Sequence, residues 1–170
     1  MDEIILETPD KRHEGRAKEF VKDFSGELIN GGCGIEQVGN YDEWLEYLDK
    51  VIHNMIHNRV PSYIYFAIRK NDLKIVGIIN VRCYIKKQLL INGGHIGYSV
   101  APSERNKGYS KTILKLGLEK ARELGIFKVL MVCRDDNIIS EKTIKSCGGK
   151  FSKSIEFNNK LYKHYYIDNI

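Results

Sequence analysis

The feature that most constrains the fold is a change in the spacing of apolar residues near Ser62. Before this point, apolar side chains recur every three or four residues in segments 11–24 and 40–56, which predicts two amphipathic helices. After it, the β-rich segments 63–69 and 75–82 flank a short polar turn, which predicts an antiparallel hairpin. A chain that begins with helices and continues with strands is expected to form an α/β fold.

The rest of the chain alternates strands with helices. We expect a strand that ends at Val100, a long helix after it and another strand from Lys128, and such units connect through right-handed parallel crossovers. The central sheet is therefore predicted to be mixed, mostly antiparallel and flanked by helices. The predicted elements are strands at 89–91, 95–100, 128–133 and 161–167 and helices at 109–124 and 140–147.

Length and composition favour one domain with a normal core. A chain of 170 residues that is 42% hydrophobic and 29% charged can bury a single core. No apolar run approaches the roughly 20 residues that a membrane span needs, and the acidic first residues do not resemble a secretory signal, so we expect a cytoplasmic protein. Four widely spaced cysteines predict reduced thiols and no metal site: Cys33, Cys83, Cys133 and Cys147.

The net charge of +5 is unevenly distributed along the chain. Acidic residues outnumber basic ones in segment 1–50, and the reverse holds in segment 51–170. A basic surface suits a polyanionic partner such as a nucleic acid, an anionic surface or a phosphate-rich cofactor. A nucleic-acid-binding domain remains an alternative, but no RNP-like aromatic strand, helix-turn-helix or zinc-ligand spacing is found. We therefore expect neither a nucleic acid nor a membrane as the partner.

Segment 100–111 joins a predicted strand to the start of a predicted helix. The first backbone N–H groups of a helix have no intrahelical acceptor and lie at the positive end of the helix dipole, so this position favours an anion. Gly108 lets a ligand approach the backbone closely, and the charges of Arg105, Lys107 and Lys111 add to the attraction. The loop lacks the G-x-x-x-x-G-K-[ST] pattern, which indicates that a bound phosphate is held rather than transferred.

The loop sequence Arg105-Asn106-Lys107-Gly108-Tyr109-Ser110 resembles the acyl-CoA pyrophosphate loop, [Q/R]-x-x-G-x-[G/A], of the GCN5-related N-acetyltransferase (GNAT) family. The resemblance covers residues 63–151 and includes the order of strands and helices. Ser110 departs from the usual Gly or Ala but is small, and its hydroxyl is expected to add one phosphate hydrogen bond. Further matches are a strand that ends in Val-x-Pro, an Asn-x-x-Ser pair and a Gly-Gly after a short helix: Val100, Pro102, Asn137, Ser140, Gly148 and Gly149.

The resemblance implies one GNAT-like domain over 1–170 that transfers an acetyl group from acetyl-CoA to a primary amine by direct attack in a ternary complex. Residues 1–60 would form the acceptor side, 61–151 the CoA-binding core and 152–170 a C-terminal strand. The acceptor would be a small-molecule or peptide amine, no metal would be needed, and a homodimer is compatible with the last strand. The implied cofactor-binding residues are Tyr98, Ser99, Val100, Arg105, Asn106, Lys107, Gly108, Tyr109, Ser110, Lys111, Asn137 and Ser140.

Two catalytic roles are predicted. The Val100 N–H would stabilise the thioester oxyanion, and His95, with an ordinary pKa of about 6.5, would act as the base that removes a proton from the amine. The tyrosine that protonates the leaving thiolate in many GNAT proteins is replaced by Ile144, so a non-catalytic acyl-CoA-binding module remains an alternative. The acidic first segment would favour a cationic acceptor.

Overall fold

A computed structural model describes residues 2–37 and 39–170; Met1 and Val38, which belong to the predicted domain, lie outside the described residues. The strands are β1 (Ile4–Glu7), β2 (Ser62–Arg69), β3 (Ile75–Arg82), β4 (Ile96–Val100), β5 (Lys128–Arg134), β6 (Lys150–Phe157) and β7 (Lys160–Asp168). The helices are α1 (Glu14–Asp23), α2 (Tyr41–Ile52), α3 (Lys87–Asn92), α4 (Tyr109–Glu123) and α5 (Ile138–Ser146). Short 3-10 turns at Lys11–His13 and Pro102–Glu104 precede α1 and α4.

The strands form two antiparallel sheets, one with the order β1-β2-β3-β4 and the other with the order β5-β7-β6. This architecture confirms the predicted α/β class with antiparallel strands flanked by helices. Within the described part of the chain, β4 and β5 form no ladder, so the expected parallel pairing across α4 is not found. The His95 N–H, just before β4, donates to the Leu130 carbonyl at 2.8 Å, and a cavity lined by both strands lies further along. The edges of the two sheets therefore face each other across a gap.

The β1-β2-β3-β4 sheet lies between two hydrophobic layers. On one face, Ile79 packs with Ile113 and Leu114 of α4, and on the other, Phe66 packs with Trp44 of α2. Residues Ile75–Val81 of β3 are buried throughout, because helices cover both faces of this strand. This central sheet fixes the position of β4 and hence of the segment that follows it.

Several element boundaries differ from the sequence prediction. The short apolar run 89–91 forms part of α3 rather than a strand. A run of three apolar residues is compatible with both the helical and the strand period, so the sequence does not distinguish them. Lys86 and Leu89 carbonyls accept the backbone bonds of this helical turn, and none of its residues is buried. Helix α2 ends at Ile52 rather than at residue 56. Strands β1 and β6 were not predicted.

Candidate functional site

The loop after β4 presents unpaired backbone N–H groups at the start of α4. Asn106 and Gly108 both have positive φ angles, of 63° and 84°, and Gly108 is the N-cap of α4. Because Gly108 has no side chain, it provides no capping hydrogen bond to the first turn of the helix. The amides of Tyr109, Ser110 and Lys111 therefore remain available to an anion that approaches the helix axis.

A buried carboxylate, that of Glu104, anchors this loop to the neighbouring strands. Glu104 is 3% exposed and accepts hydrogen bonds from Arg69 Nη1 at 2.9 Å, Lys74 Nζ at 2.7 Å and Lys107 Nζ at 2.9 Å. Burial alone would raise the pKa of Glu104, but the hydrogen bonds from Lys74, Lys107 and Arg69 outweigh it and hold the pKa at about 2. The carboxylate thus fixes the loop to β2 and to the turn before β3.

The loop carries less free positive charge than its sequence suggests. Lys107 is paired with Glu104, and Arg105 Nη2 contacts Glu27 Oε2 at 2.7 Å on the surface. The Arg105–Glu27 pair is exposed and therefore weak, so an anion can compete for Arg105. Lys111 is exposed in the first turn of α4. The backbone amides, rather than the side-chain charges, are consequently the most specific feature of this loop.

A cleft of about 510 Å³ adjoins the loop and brings most of the predicted site residues together. His95, Lys107 and Lys111 do not line it. The segment between α1 and α2 supplies a wall that sequence reasoning did not identify, because nothing in that segment's composition marks it as a binding element. The predicted residues that line the cleft are Tyr98, Ser99, Val100, Arg105, Asn106, Gly108, Tyr109, Ser110, Asn137 and Ser140, and the added ones include Phe24, Glu27, Leu28, Asn30 and Ile139.

The register of β4 determines which of its amides face the gap between the sheets. Ala101 N–H donates to the Val76 carbonyl at 2.9 Å, and Arg82 N–H donates to the His95 carbonyl at 2.8 Å. Hydrogen-bonded pairs alternate along an antiparallel ladder, so the amides of Tyr98 and Val100 point away from β3. These two groups lie on the open edge of β4 and can pair with an extended ligand as a strand would.

Asn137 and Ser110 make protein contacts that modify their predicted roles. Asn137 caps α5, and its Oδ1 accepts the Ser140 N–H at 3.1 Å. The Asn137 side-chain nitrogen has no partner among residues 2–37 and 39–170, and Asn137 lines the cleft, so this nitrogen can donate to a ligand there. The Ser110 hydroxyl lies 3.2 Å from Thr143 Oγ1 of α5. The Ser110 side chain therefore joins α4 to α5 and is not directed only at a phosphate.

The tyrosines differ in whether their hydroxyl groups are engaged. The Tyr109 hydroxyl donates to Asp2 at 2.8 Å and that of Tyr165 donates to Glu141 at 2.7 Å. The Tyr98 hydroxyl is buried and makes no hydrogen bond of good geometry within the described residues. Burial raises the pKa of Tyr98, and the nearby hydroxyls of Ser140 and Thr143 counter part of that rise.

Ile144 is fully buried in the core, so α5 places no phenol at this position. The Tyr98 hydroxyl approaches Ser140 and Thr143, which lie within about one turn of Ile144 on the same helix. Tyr162 lines the gap between β4 and β5 together with Tyr98 and is a further phenol near the cleft.

The role of His95 as the base stays a prediction, and the geometry of the ring disfavours it. The Leu130 N–H donates to His95 Nδ1 at 2.9 Å, so the neutral ring carries its proton on Nε2 and has no free lone pair. Burial, followed by the charge of Arg82, lowers the pKa of His95. Both features favour a structural role in which the ring joins the two sheets at the narrow end of the gap.

A second pocket, of about 400 Å³, adjoins the cleft through Leu28 and Asn30, which line both. Its ionisable walls are Arg59, Arg82, Lys86, Cys33 and Glu36. The sequence-based expectation of an acidic acceptor wall is therefore not supported, since Glu36 is the one carboxylate among the described residues lining this pocket. Other acidic residues of the first segment form surface ion pairs instead, as in Glu14–Lys18, Asp10–Arg12 and Glu3–Lys70.

Comparison with known proteins identifies the family of the chain. The family model described as acetyltransferase (GNAT) domain matches residues 16–150. The chain therefore belongs to the GNAT acetyltransferase family, and this membership supports acetyl transfer from acetyl-CoA in general. No curated protein matches the sequence significantly.

Solved structures share the fold at low sequence identity. The ribosomal-protein-S5-alanine acetyltransferase from Vibrio fischeri matches with a TM-score of 0.70 at 12% identity, over 99% of this chain and 94% of its own. Mutant forms of the spermidine/spermine N-acetyltransferase SpeG from Vibrio cholerae match with a TM-score of 0.64 at 15% identity, over 96% and 92%. The yncA structure from Salmonella typhimurium, which contains its cofactor acetyl-CoA, matches with a TM-score of 0.63 at 11% identity, over 98% and 94%.

Residues 2–37 and 39–170 contain no group of three or more His, Cys, Asp or Glu side chains arranged to hold a metal ion. Within the same residues, every helix is too short or too polar to cross a bilayer.

Proposed function

We propose that this protein is an N-acetyltransferase that moves the acetyl group of acetyl-CoA to a primary amine by direct attack within a ternary complex. The observation that carries the proposal is the junction of β4 and α4 at one cleft. There, the outward amides of β4 and the uncapped amides of α4 lie in sequence along a single wall. This arrangement fits a ligand with an extended amide-bearing arm and a diphosphate at its end.

The cleft supports a division of roles among its residues. The amides from Asn106 to Lys111 would hold the diphosphate, and Asn137 would donate to the arm from the α5 side. The Val100 N–H would bind the arm or the thioester carbonyl, as expected from the sequence. The Tyr98 N–H lies two residues further from the diphosphate loop, about 7 Å along the strand, and would share the oxyanion role nearer the thioester.

Acetyl-CoA supplies a thioester whose carbonyl carbon is open to attack by a neutral amine. The N–C bond forms, the C–S bond breaks, and the proton lost by the nitrogen ends on the sulfur. Backbone N–H groups on a rigid strand stabilise the negative charge that develops on the carbonyl oxygen. We propose that the Tyr98 hydroxyl protonates the leaving sulfur, since it is buried, makes no hydrogen bond of good geometry among the described residues and lies beside the helix that carries Ile144.

The predicted domain organisation fits this proposal. Residues 1–60 would contribute the acceptor side through the segment between α1 and α2, and residues 61–151 would contribute the acetyl-CoA cleft. Residues 152–170 would complete the second sheet through β7, which pairs with β5 from Tyr162 to Asp168.

The decisive experiment combines calorimetric titration of CoA with a thiol-release assay on acetyl-CoA and a panel of amines. Gly108→Glu places a carboxylate where the diphosphate is expected, and we predict at least a 30-fold weaker affinity for CoA, or about 2 kcal/mol. Gly125→Glu is the matched control, because Gly125 ends α4 with a similar φ of 77° and open space around it. Both variants carry the same backbone strain and the same change in charge.

The outcomes separate the proposal from its alternatives. Equal CoA affinity in the two variants would contradict the assignment of the loop. CoA binding without thiol release on any amine would favour the non-catalytic acyl-CoA-binding module, for which the buried Ile144 is the supporting observation. Amine-dependent thiol release that is lost in Gly108→Glu and kept in Gly125→Glu would support the transferase.

A further inference from the structure

The pocket next to the cleft contains polar groups that the protein itself leaves unsatisfied. Four buried side-chain polar atoms have no hydrogen-bond partner among residues 2–37 and 39–170, and two of them, Glu36 Oε2 and Asn80 Oδ1, belong to residues lining this one pocket. Both atoms are hydrogen-bond acceptors. An unsatisfied buried acceptor is costly, so two of them in one pocket indicate a site for a donor such as an ammonium group.

The same pocket contains a cation without an anionic partner. Arg82 is half-buried at the end of β3, and its Nη1 donates only to the carbonyl oxygens of Gly93 at 3.3 Å and Gly94 at 3.0 Å. Within the described chain no carboxylate lies within ion-pair distance of its guanidinium, whereas Glu104, Glu141 and other acids are paired elsewhere. A guanidinium with free N–H groups is suited to bidentate binding of a carboxylate.

The charged groups surround a common point. Cys33 lies close enough to Arg82, Arg59 and Glu36 for each to affect its pKa, and Asn80 Nδ2 donates to Cys33 Sγ at 3.0 Å. Burial is the main cause that raises the pKa of the Cys33 thiol, so the thiol is neutral and contributes no charge to the pocket. The positive and negative walls therefore face a small shared space of about 400 Å³.

Two residues that line this space contact β4 at Gly97. Asn80 pairs with Gly97 in the β3–β4 ladder, and Arg82 Nη2 lies 3.4 Å from the position that a Cβ of Gly97 would take. Gly97 directly precedes Tyr98, whose amide faces the proposed thioester position. A ligand held between Asn80, Glu36 and Arg82 would therefore lie near the proposed position of the thioester.

We infer that the acceptor is a small amino acid-like molecule that carries a carboxylate beside its amine. Arg82 binds the carboxylate, Asn80 Oδ1 and Glu36 accept hydrogen bonds from the ammonium, and the Glu36 carboxylate takes up the proton that must leave before attack. The products are then an N-acetyl amino acid and free CoA thiol. The inference rests on the proposed transferase function and specifies its acceptor class. Polyamines, which lack an anion for Arg82, are excluded as good acceptors.

The test compares acceptors that differ only in the carboxylate. Thiol release from acetyl-CoA is measured with L-amino acids, with their methyl esters and with the corresponding decarboxylated amines, together with spermidine. We expect kcat/KM for the best free amino acid to exceed that of its ester and of its decarboxylated amine by at least 10-fold. In Arg82→Met this preference should disappear, through a KM that rises at least 10-fold for the free acid and less than 3-fold for the ester.

Three variants serve as controls. Arg122→Met removes one exposed positive charge from α4 at a residue that does not line the pocket, and it should leave the preference intact. Arg82→Lys should recover part of the preference, which separates lost charge from a folding defect. Glu36→Gln should lower kcat/KM for the free acid and the ester by the same factor, because it removes the group that binds their common ammonium.

Specific results would overturn the inference. Equal or better turnover of esters or spermidine by the unchanged protein, or an equal loss for acid and ester in Arg82→Met, would show that Arg82 does not select the acceptor. Bound acetyl-CoA with no turnover of any amino acid would also overturn it. Failure of CoA to bind in the parallel titration would instead refute the proposed transferase function, so the two failures are distinguishable.

Discussion

Glu104 offers a direct test of how the cofactor loop is held in place. The carboxylate has a pKa of about 2 in the folded protein, against a usual value of 4.5, although burial opposes this decrease. One pKa unit corresponds to about 1.4 kcal/mol, so the ionised form would add about 3 kcal/mol to stability at neutral pH. Lys74 and Lys107 are about half exposed, and solvent screening reduces this to about 2 kcal/mol.

Glu104→Gln keeps the side-chain shape and removes the charge. We expect the free energy of unfolding at pH 7 to fall by about 2 kcal/mol, and the melting temperature by about 4–8 °C for a chain of this size. Urea unfolding can be followed through Trp44, the single tryptophan, which is fully buried. Glu119→Gln, on the exposed face of α4, is the matched control and should change stability by less than about 0.5 kcal/mol.

The pH dependence gives the sign of the effect. Because the folded-state pKa of Glu104 is lowered, its contribution is fully present above about pH 5 and is lost as the pH falls towards 2. The stability difference between the original chain and Glu104→Gln should therefore shrink over this range. A difference that stays constant from pH 7 to pH 3, or no difference at pH 7, would refute the reasoning.

Two other predictions concern the gap between the sheets. In Gly31→Ala, the added Cβ would overlap the Gly97 carbonyl oxygen, so we expect the free energy of urea unfolding to fall by about 2–3 kcal/mol and the KM for acetyl-CoA to rise. Gly26→Ala is the control for backbone strain alone, because Gly26 has a φ of 88° and open space around it. Equal effects of the two changes would contradict the clash. Tyr98→Phe should lower kcat about 100-fold with little change in CoA affinity, whereas Tyr162→Phe should lower it less; the reverse order would transfer the acid role to Tyr162.

The sequence was sufficient for the parts of the site that depend on local backbone geometry. Gly108 at the start of a helix, with a strand ending before Pro102, defines a strand–loop–helix unit by itself, and the structure places these residues as expected. The short helix predicted at 140–147 also forms, although it begins at Ile138, where Asn137 caps it. These features involve residues close together in the chain.

The sequence was not sufficient where residues distant in the chain meet. The partners of Arg105 and Lys107, namely Glu27 and Glu104, neutralise charges that the sequence presents as free. The hydrogen bond from the Leu130 N–H to His95 Nδ1 occupies the lone pair that a base would need. This bond forms only because the two sheets approach each other at this point. The sequence does not show that Arg82 lacks a carboxylate partner among the described residues, because that depends on which side chains surround it in space.

The burial of β3 and the exposure of α3 have a consequence for how proteins of this kind diversify. Every residue from Ile75 to Val81 is enclosed, so changes there alter stability, whereas no residue of Lys87–Asn92 is buried. Gln88 and Leu89 of that helix line the second pocket, where the acceptor is proposed to bind. Substitutions at Gln88 and Leu89 should therefore change the choice of acceptor with little effect on the stability of the central sheet. Antibody loops vary on a constant framework in the same way.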